Sequence, residues 1–296
     1  MSPGPTIGIL THSTDNFHDA QYFIRLMIPR WEAMGFRLVV LTEADAFVPA
    51  DIAFLHVDLS VVPDSCRRLS ERYGKVVNGR VLDISKRRIS RLIVRREEAY
   101  SGAVIVKSNY NCGGQREFQR RMRESPIAPV LKRLKIAEPV RRRLEQFELQ
   151  RSWRRRRLFP YGQYPVFENC ELVPEGVWAN PNLVVERFLA EREDGLYCCR
   201  HWLFLGGKEV MRRTVSREPN VKANARIEQI RDPVPEELRA MRQELGFDYG
   251  KFDYGIVEGK VVVYDVNKTP GYTADVARHT QTVDALCEGI WDLVGG

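Results

Sequence analysis

The sequence lacks the features of a membrane protein or of a disulfide-stabilised secreted domain. Its 296 residues contain no run of about 18 apolar residues, so we expect no transmembrane helix. The opening Met-Ser-Pro-Gly-Pro does not resemble a signal peptide. The six cysteines include no Cys-x-x-Cys pair, which predicts reduced thiols, no zinc site and a cytoplasmic location.

Acidic residues are scarce in one segment only. Between Arg116 and Arg157 there are 15 Lys/Arg and 5 Asp/Glu, a net charge of +10. The whole chain has a net charge of +7, so the remaining residues have a net charge of −3. Prolines 126, 129 and 139 divide this segment into two or three predicted helices. It is either a solvated helical insertion or a contact surface for RNA, an acidic polymer or an acidic carrier protein.

The first 80 residues alternate between predicted strands and helices, which indicates a mostly parallel sheet covered on both faces. The loop after the first strand, HSTDNFHDA, lies at the end of the sheet where such folds bind ligands. It carries His12, Asp15, His18 and Asp19. A metal site, a substrate contact and simple helix capping are all compatible with this loop.

A buried strand, Gly102–Lys107, ends in a lysine and is followed by Gly113-Gly114. A lysine and a glycine-rich loop can together hold a phosphate, although many strands end in lysine for no such reason. Neither a Walker motif nor a Ser-His-Asp or Cys-His order is recognisable. Nothing in the sequence therefore points to a protein nucleophile.

The segment from Phe247 to Tyr272 is predicted to be a β-hairpin with its turn at Glu258-Gly259. Asp253, Asp265 and Asn267 interrupt or end its strands, where carboxylates and amides are unfavourable. A three-residue loop, Val257 to Gly259, would pair Asp253 with Val263 and place these three side chains on one face. Such a face suits magnesium, but an ordinary hairpin with a polar solvent side would have the same pattern.

The hairpin FDYGIVEGKVVVYDVNKTPG resembles the C-terminal metal hairpin of the ATP-grasp superfamily, which includes D-alanine–D-alanine ligase, glutathione synthetase and ribosomal-protein glutamate ligases. In that family an acidic residue and an acidic-x-Asn pair hold two magnesium ions on the ATP phosphates. The resemblance assigns these roles to Asp253, Asp265 and Asn267. Asp265 stands where glutamate is more common.

The resemblance extends to other motifs in the same order along the chain. Lys86, which we expect near the middle of a helix over residues 80–94, and Lys107 match the two ATP-contacting lysines, with Gly113 and Gly114 in an imperfect copy of the flexible loop. Glu186, Arg187 and Phe188 match the adenine hinge. Glu193 falls at the ribose carboxylate, with Glu191 and Asp194 as close competitors.

Arginines in a second predicted hairpin, over residues 196–215, are candidates for stabilising charge during transfer, although salt bridges would explain them equally well. Arg200 and Arg213 are the two that we assign to catalysis. The stretch VKANA resembles a family segment that faces the active site, which adds Lys222 and Asn224.

The resemblance implies an ATP-grasp fold of mixed α/β and α+β class. An N-terminal Rossmann-like domain (1–80) would precede a central lobe (81–180, with the basic insertion 116–157) and a C-terminal lobe (181–296). ATP would convert a substrate carboxylate into an acyl phosphate, and an amine would displace phosphate to leave an amide and ADP. Two alternatives remain. One is a kinase of a phosphorylated or sugar substrate, and the other is a nucleotide-binding module that binds RNA or an acidic partner through the basic insertion. We expect a small-molecule or peptide acid, no membrane contact and either a monomer or a homo-oligomer.

Overall fold

The computed structural model describes residues 4–160, 162–219, 226–230, 232–273 and 275–295. Within these ranges the strands form three sheets, and no helix is both long and apolar enough to cross a membrane.

The N-terminal sheet is wholly parallel, as the alternating pattern predicts. Its strands, in the order β2-β1-β3-β4, are β1 (Thr6–Thr11), β2 (Arg37–Thr42), β3 (Ile52–Leu55) and β4 (Val76–Val77). Helices α1 (Phe23–Ala33) and α2 (Asp64–Ser70) connect them. Ile7, Ile9 and Phe54 of this sheet are buried against Trp31 of α1. Apolar burial of this kind is the main stabilising contribution to the sheet.

The central sheet is antiparallel and contains the predicted lysine strand. Its order is β6-β5-β7, with β5 (Val104–Ser108), β6 (Val166–Phe167) and β7 (Leu183–Arg187). The helices of this part are α3 (Lys86–Ile89), α4 (Gln115–Arg123), α5 (Ala128–Arg133), α6 (Ala137–Leu149) and α7 (Glu175–Trp178). Val104, Val106 and Val185 pack with Phe159 in a core of their own.

The C-terminal sheet has six strands in the order β11-β10-β9-β12-β13, with β8 paired to β9. They are β8 (Glu191–Glu193), β9 (Leu196–Leu205), β10 (Lys208–Ser216), β11 (Arg226–Gln229), β12 (Tyr249–Val257) and β13 (Lys260–Asn267). Helices α8 (Glu236–Leu245), α9 (Thr280–Cys287) and α10 (Ile290–Val294) complete the chain. Gly246 ends α8 with a positive φ of 73°, the usual way for glycine to stop a helix.

The expected helix over residues 80–94 is wrong, since only Lys86–Ile89 is helical there. Tertiary hydrogen bonds hold the rest in an extended form: Ile84 N–H donates to Ser60, and Val94 N–H to Val185 (both 2.9 Å). Lys86 N–H itself donates to the Asn109 carbonyl at 2.8 Å. These contacts outweigh the local helical pattern, and Lys86 consequently stands at the start of a single helical turn.

Helices α5 and α6 form a basic arm, which we define as residues 125–151. The arm exposes six large apolar side chains, each at least 37% accessible: Ile127, Val130, Leu134, Ile136, Leu144 and Phe147. Pro129 and Pro139 fall in the first turns of α5 and α6, where their missing N–H groups cost no helical hydrogen bond. The prolines thus begin helices here rather than break them.

Asn78 joins the N-terminal unit to the C-terminal sheet. It is buried, and its backbone lies in the left-handed region, with φ of 59°. Its side-chain oxygen accepts the N–H groups of Asp248 (2.9 Å) and Tyr249 (3.1 Å), while its amide nitrogen donates to the Tyr249 carbonyl (2.8 Å).

We therefore predict that Asn78→Ala lowers the free energy of unfolding by about 2–4 kcal/mol, because it leaves buried backbone groups unpaired. Asn78→Gly also loses the side-chain hydrogen bonds, but glycine adopts the left-handed backbone without strain. The difference between the two variants therefore measures the strain of alanine in this conformation. Urea unfolding measures both. A loss below about 1 kcal/mol in both variants would show that this junction is not stabilised by the Asn78 side chain.

Candidate active site

A cavity of about 260 Å³ lies between the central and C-terminal sheets. Lys86 and Lys107 line it from the central part, and Asp253, Asp265 and Asn267 line it from the hairpin β12–β13. Segments far apart in the chain therefore bring two ammonium groups and three oxygen-bearing side chains to one place.

The hairpin places the three oxygen ligands on one face, but by a different register from the one expected. Its turn is the two-residue Glu258-Gly259, with φ of 50° and 76°, and Val257 pairs with Lys260. Asp253 pairs with Asp265 rather than with Val263, because the register shifts between Asp253 and Tyr254. The predicted three-residue loop is wrong. A β-bulge at Tyr264 instead shifts the register by one residue, which places Asp253, Asp265 and Asn267 on the same face.

Space for the bulged tyrosine comes from a glycine on the partner strand. A Cβ at Gly255 would lie only 2.1 Å from the Tyr264 hydroxyl oxygen. That hydroxyl accepts the N–H of Glu191 at 3.1 Å. The bulge is therefore fixed by contacts with both β12 and β8.

Each carboxylate of this face has a basic partner. Asp253 Oδ1 lies 2.6 Å from His201 Nδ1, and Asp253 Oδ2 lies 2.9 Å from Lys251 Nζ. Burial alone would raise the pKa of Asp253, but Lys251 and His201 outweigh it and hold the pKa well below its usual range. Asp265 pairs with Lys86, which also donates to Asn111 Oδ1 at 2.9 Å.

Lys107 is held by the hinge residue Glu186, whose carboxylate lies 2.8 Å from its Nζ. Glu186 is almost fully buried. Its burial opposes ionisation, yet Lys107 and then Lys86 keep its pKa below the usual value. Glu186 thus orients Lys107, while Arg187 and Phe188, with the next two residues, line the cavity.

Close packing explains why glycine occupies both positions 113 and 114, after β5. Cβ atoms at Gly113 and Gly114 would lie 2.7 Å and 2.6 Å from the carbonyl oxygens of Phe159 and Arg157. Both residues have positive φ, at 66° and 81°. Their neighbour Cys112 lines the cavity, whereas Gly113 and Gly114 are not among its lining residues.

Arg200 and Arg213, the two predicted catalytic arginines, form ion pairs with carboxylates. One of these carboxylates is Glu193, the predicted ribose ligand. Arg200 binds both oxygens of Glu191 (2.9 and 3.0 Å from Nε) and Asp232 (2.7 Å). Arg213 pairs with Glu193 and, at 2.8 Å, with Glu228. These ion pairs lie next to Cys198 and Cys199, which line the cavity.

Lys222 and Asn224, the remaining predicted catalytic residues, lie outside the described residues. Sequence reasoning also missed His201 and Lys251. Lys251 could have been found, because it is two residues before Asp253 and so shares its face of the strand. His201 could not, since only the β9–β12 register shows that it lies opposite Asp253.

A second, smaller pocket adjoins the first, at the carboxyl ends of the N-terminal strands. Asp15, Tyr22, Asp58 and Arg116 line it. Tyr22 Oη lies 2.9 Å from Asp15 Oδ1 and 3.0 Å from Asp58 Oδ2, while Arg116 Nε is 2.6 Å from Asp58. One hydroxyl proton cannot serve both carboxylates at once, but Asp58 also has Arg116 and the Thr269 hydroxyl as partners.

The two pockets are linked by hydrogen bonds. The Thr269 hydroxyl donates to Asp58 Oδ1 at 2.8 Å, and the Thr269 N–H donates to Asn267 Oδ1 at 2.9 Å. Within the N-terminal loop, His12 points towards Glu43, and the ring of His18 stands edge-on to Phe17. His12 and Asp15 both line the second pocket, whereas His18 is not among its lining residues.

Asp15 allows a pH-dependent prediction. Burial, and then the charge of Asp58, raises its pKa to about 6, against about 3.9 in an unfolded chain. Between about pH 4 and pH 6 the folded state binds more protons, so stability falls as pH rises. Asp15→Asn removes this loss, and we predict that it stabilises the protein by about 1–2 kcal/mol at pH 7 but not at pH 4.

Urea unfolding across this pH range measures the effect, with Asp19→Asn, an exposed change in the same loop, as the control. A variant that is equal to or less stable than the native protein at pH 7 would contradict the prediction.

Comparison with known proteins supports the fold. No family model matches the sequence, and no curated protein matches it either. Among solved structures, the RimK domain ATP-grasp protein of Sphaerobacter thermophilus DSM 20745 is 14% identical, with a TM-score of 0.50 over 98% of this chain and 100% of that one.

Two further structures cover nearly the whole chain at 12% identity. The ATP-grasp ligase PsnB, complexed with a phosphomimetic variant of its minimal precursor, Mg and ADP, has a TM-score of 0.51 over 95% of this chain and 98% of its own. The macrocyclase MdnC of Microcystis aeruginosa MRC, bound with precursor peptide MdnA, has a TM-score of 0.50 over 98% and 100%. The chain therefore has the ATP-grasp fold that its C-terminal hairpin resembles.

Proposed function

We propose that this protein is an ATP- and magnesium-dependent ligase that activates a carboxylate as an acyl phosphate and joins it to an amine. The observation that carries the proposal is the convergence of Lys86 and Lys107 with Asp253, Asp265 and Asn267 around one cavity. The fold supports the same reaction class, because the neighbour PsnB was solved with Mg and ADP.

The donor set of the hairpin fits magnesium. Two carboxylates and one amide oxygen share one face, and hard oxygen donors are what this ion prefers. Asp253, Asp265 and Asn267 would hold one or two ions, whose chemical contribution is to neutralise phosphate charge. The two carboxylates are at present paired with the ammonium groups of Lys86 and Lys251 and with the ring of His201.

The other cavity residues have distinct proposed tasks. Lys86 and Lys107 stabilise negative charge on the transferring phosphoryl group. Backbone groups of Arg187 and Phe188 border the part of the cavity that we assign to adenine. The charge-stabilising role of Arg200 and Arg213 stays a prediction. To bind a phosphate, each arginine would have to release a carboxylate partner, such as Glu191 or Glu193.

We assign the amine to the N-terminal pocket. Asp15 and Asp58 both contact the Tyr22 hydroxyl, and these two carboxylates are the groups that would bind an ammonium group beside the arginines of the pocket. Arg116 would contact an anionic part of the same substrate. The structures of PsnB and MdnC with precursor peptides lead us to include a peptide carboxylate among the candidate acids.

Nucleotide binding is the first test. With ATP at about 100 times its Kd, we predict that magnesium-ATP raises the melting temperature by roughly 4–5 °C. Asp265→Ala and Asn267→Ala lose this gain, because each removes an oxygen ligand. Asp284→Asn, on the surface helix α9, keeps it. A native protein without any magnesium-dependent shift would rule out the nucleotide site as described.

Product analysis then separates the reaction classes. An acid-and-amine screen that includes peptides should release ADP and inorganic phosphate only when both substrates are present. Release of ADP without phosphate, together with a phosphorylated product, would instead indicate a kinase. ATP binding without any turnover would favour a binding module.

We further propose that the basic arm contacts an acidic polypeptide segment. Apolar side chains such as Val130, Leu134 and Phe147 are more than half exposed and lie among basic residues. A nucleic acid would satisfy the charges but not this apolar surface. An acidic segment with apolar residues matches both.

We predict that a synthetic peptide alternating Glu and Leu binds more tightly than one alternating Glu and Ser, by about tenfold, which corresponds to roughly 1.4 kcal/mol of apolar contact. Leu134→Ser should reduce this preference, because it removes an exposed apolar contact. Fluorescence anisotropy measures both affinities, and Val276→Ser, an exposed position outside the arm, is the control. Equal binding of the two peptides, or tighter binding of a single-stranded RNA of the same charge, would contradict the assignment.

A further inference from the structure

A cluster of soft and hard metal ligands borders the N-terminal pocket, at the edge of the N-terminal sheet. Thr11 of β1 pairs with Thr42 of β2 in parallel register. The next residues, His12 and Glu43, therefore leave the sheet side by side. Cys66 projects from α2 towards the same point, and its thiol lies 3.6 Å from Glu43 Oε2.

The distances within the cluster are too long for ordinary hydrogen bonds to the imidazole but suit a shared ion. His12 Nε2 is 3.5 Å from Glu43 Oε1 and 3.5 Å from Glu124 Oε1, whereas N–H···O bonds span about 2.7–3.2 Å. With zinc bonds of about 2.0–2.3 Å, the corners of a tetrahedron lie about 3.3–3.7 Å apart. The ligand atoms of His12, Glu43 and Cys66 all lie within 4.8 Å of one another.

The supporting contacts are those of an oriented metal site. Thr14 contacts the other ring nitrogen of His12, at 2.8 Å through its hydroxyl and 3.2 Å through its N–H. Ser13 binds Glu43 through its hydroxyl and, at 2.9 Å, through its N–H. Partners of this kind hold the ligating atoms in position. His12 and Cys66 are buried, so packing restricts the positions of both side chains.

From this geometry we propose a zinc site made of His12 Nε2, Glu43 and Cys66 Sγ, with water as the fourth ligand, since Glu124 Oε1 already accepts a hydrogen bond from Arg120 Nε at 2.8 Å. On binding, the Cys66 thiol would release its proton to solvent. His12 would carry its proton on Nδ1 and donate a hydrogen bond to the Thr14 hydroxyl, in place of the Thr14 N–H that Nδ1 accepts here. This contradicts our expectation that no zinc site exists, which rested on the lack of paired cysteines. The proposal does not depend on the proposed ligase activity.

The site would join parts of the chain that form one side of the N-terminal pocket. His12 follows β1 and lines that pocket, Glu43 follows β2, and Cys66 lies in α2. Zinc would fix the β1 loop against the β2 loop and α2. Its occupancy would therefore change the rigidity of the pocket that we assign to the amine.

Cobalt is a suitable probe, because Co²⁺ bound to a thiolate gives a charge-transfer band that oxygen and nitrogen ligands do not give. We predict that the full chain, stripped of metals and held in excess Mg²⁺, shows this band with saturation at one equivalent, and that Zn²⁺ abolishes it. Cys66→Ser should lose the band. Cys199→Ser, which alters the cluster of Cys199, His201 and Asp253 in the ATP cavity, is the matched control and should keep it.

A second variant protects the test against a folding defect. Glu43→Gln leaves the thiol in place, so the band should remain, while cobalt and zinc affinity falls by about tenfold or more. Melting curves of the metal-free variants show that each is folded. The proposal is overturned by a native protein without the band, by loss of the band in Cys199→Ser alone, or by unchanged metal affinity in Glu43→Gln.

Discussion

The ion pair between Lys86 and Asp265 is the contact on which the geometry of the cleft depends. Lys86 is buried, and it reaches the hairpin from the central part of the chain. A buried ammonium group without a partner is strongly unfavourable, so the carboxylate across the cavity supplies the charge that keeps the two parts together. A polyphosphate with its metal ion presents the same two charges, the anion to the lysine and the cation to the carboxylate. In the proposed nucleotide complex, Lys86 and Asp265 would therefore each keep a partner of opposite charge.

The same hairpin also connects the two pockets. Asn267 accepts a hydrogen bond from Thr269, whose hydroxyl binds Asp58. Asp58 in turn shares the Tyr22 hydroxyl with Asp15. A change in the coordination of Asn267 would therefore reach the carboxylates that we assign to the amine. Two substrates that must react with each other need this kind of alignment, since small errors in position are costly for the rate.

The sequence predicts the fold through the order of motifs that it shares with a known family, and it predicts seven of the residues that line the cavity. The parallel N-terminal sheet, the hairpin and the position of Lys107 follow from strand and turn residues. What could not be predicted depends on contacts between distant segments. The bulge at Tyr264 needs the gap left by Gly255, and the extended course around Lys86 needs acceptors from other loops. His201 joins the site only through its pairing across the sheet, for which a single sequence carries no signal.

The cleft and the basic arm should respond differently to salt, which separates their contributions. Ion pairs such as Lys107–Glu186 are buried and little screened, whereas the charges of the arm are exposed. At about 0.15 M salt the Debye length is near 8 Å, so attraction between the arm and an acidic partner weakens steeply as salt rises. The ion pairs that organise the cleft persist under the same conditions. If substrate recruitment depends on the arm, added salt raises KM for an acidic polypeptide while kcat and the affinity for a small-molecule acid change little. An equal loss for both kinds of substrate would place the salt-sensitive step in the cleft itself.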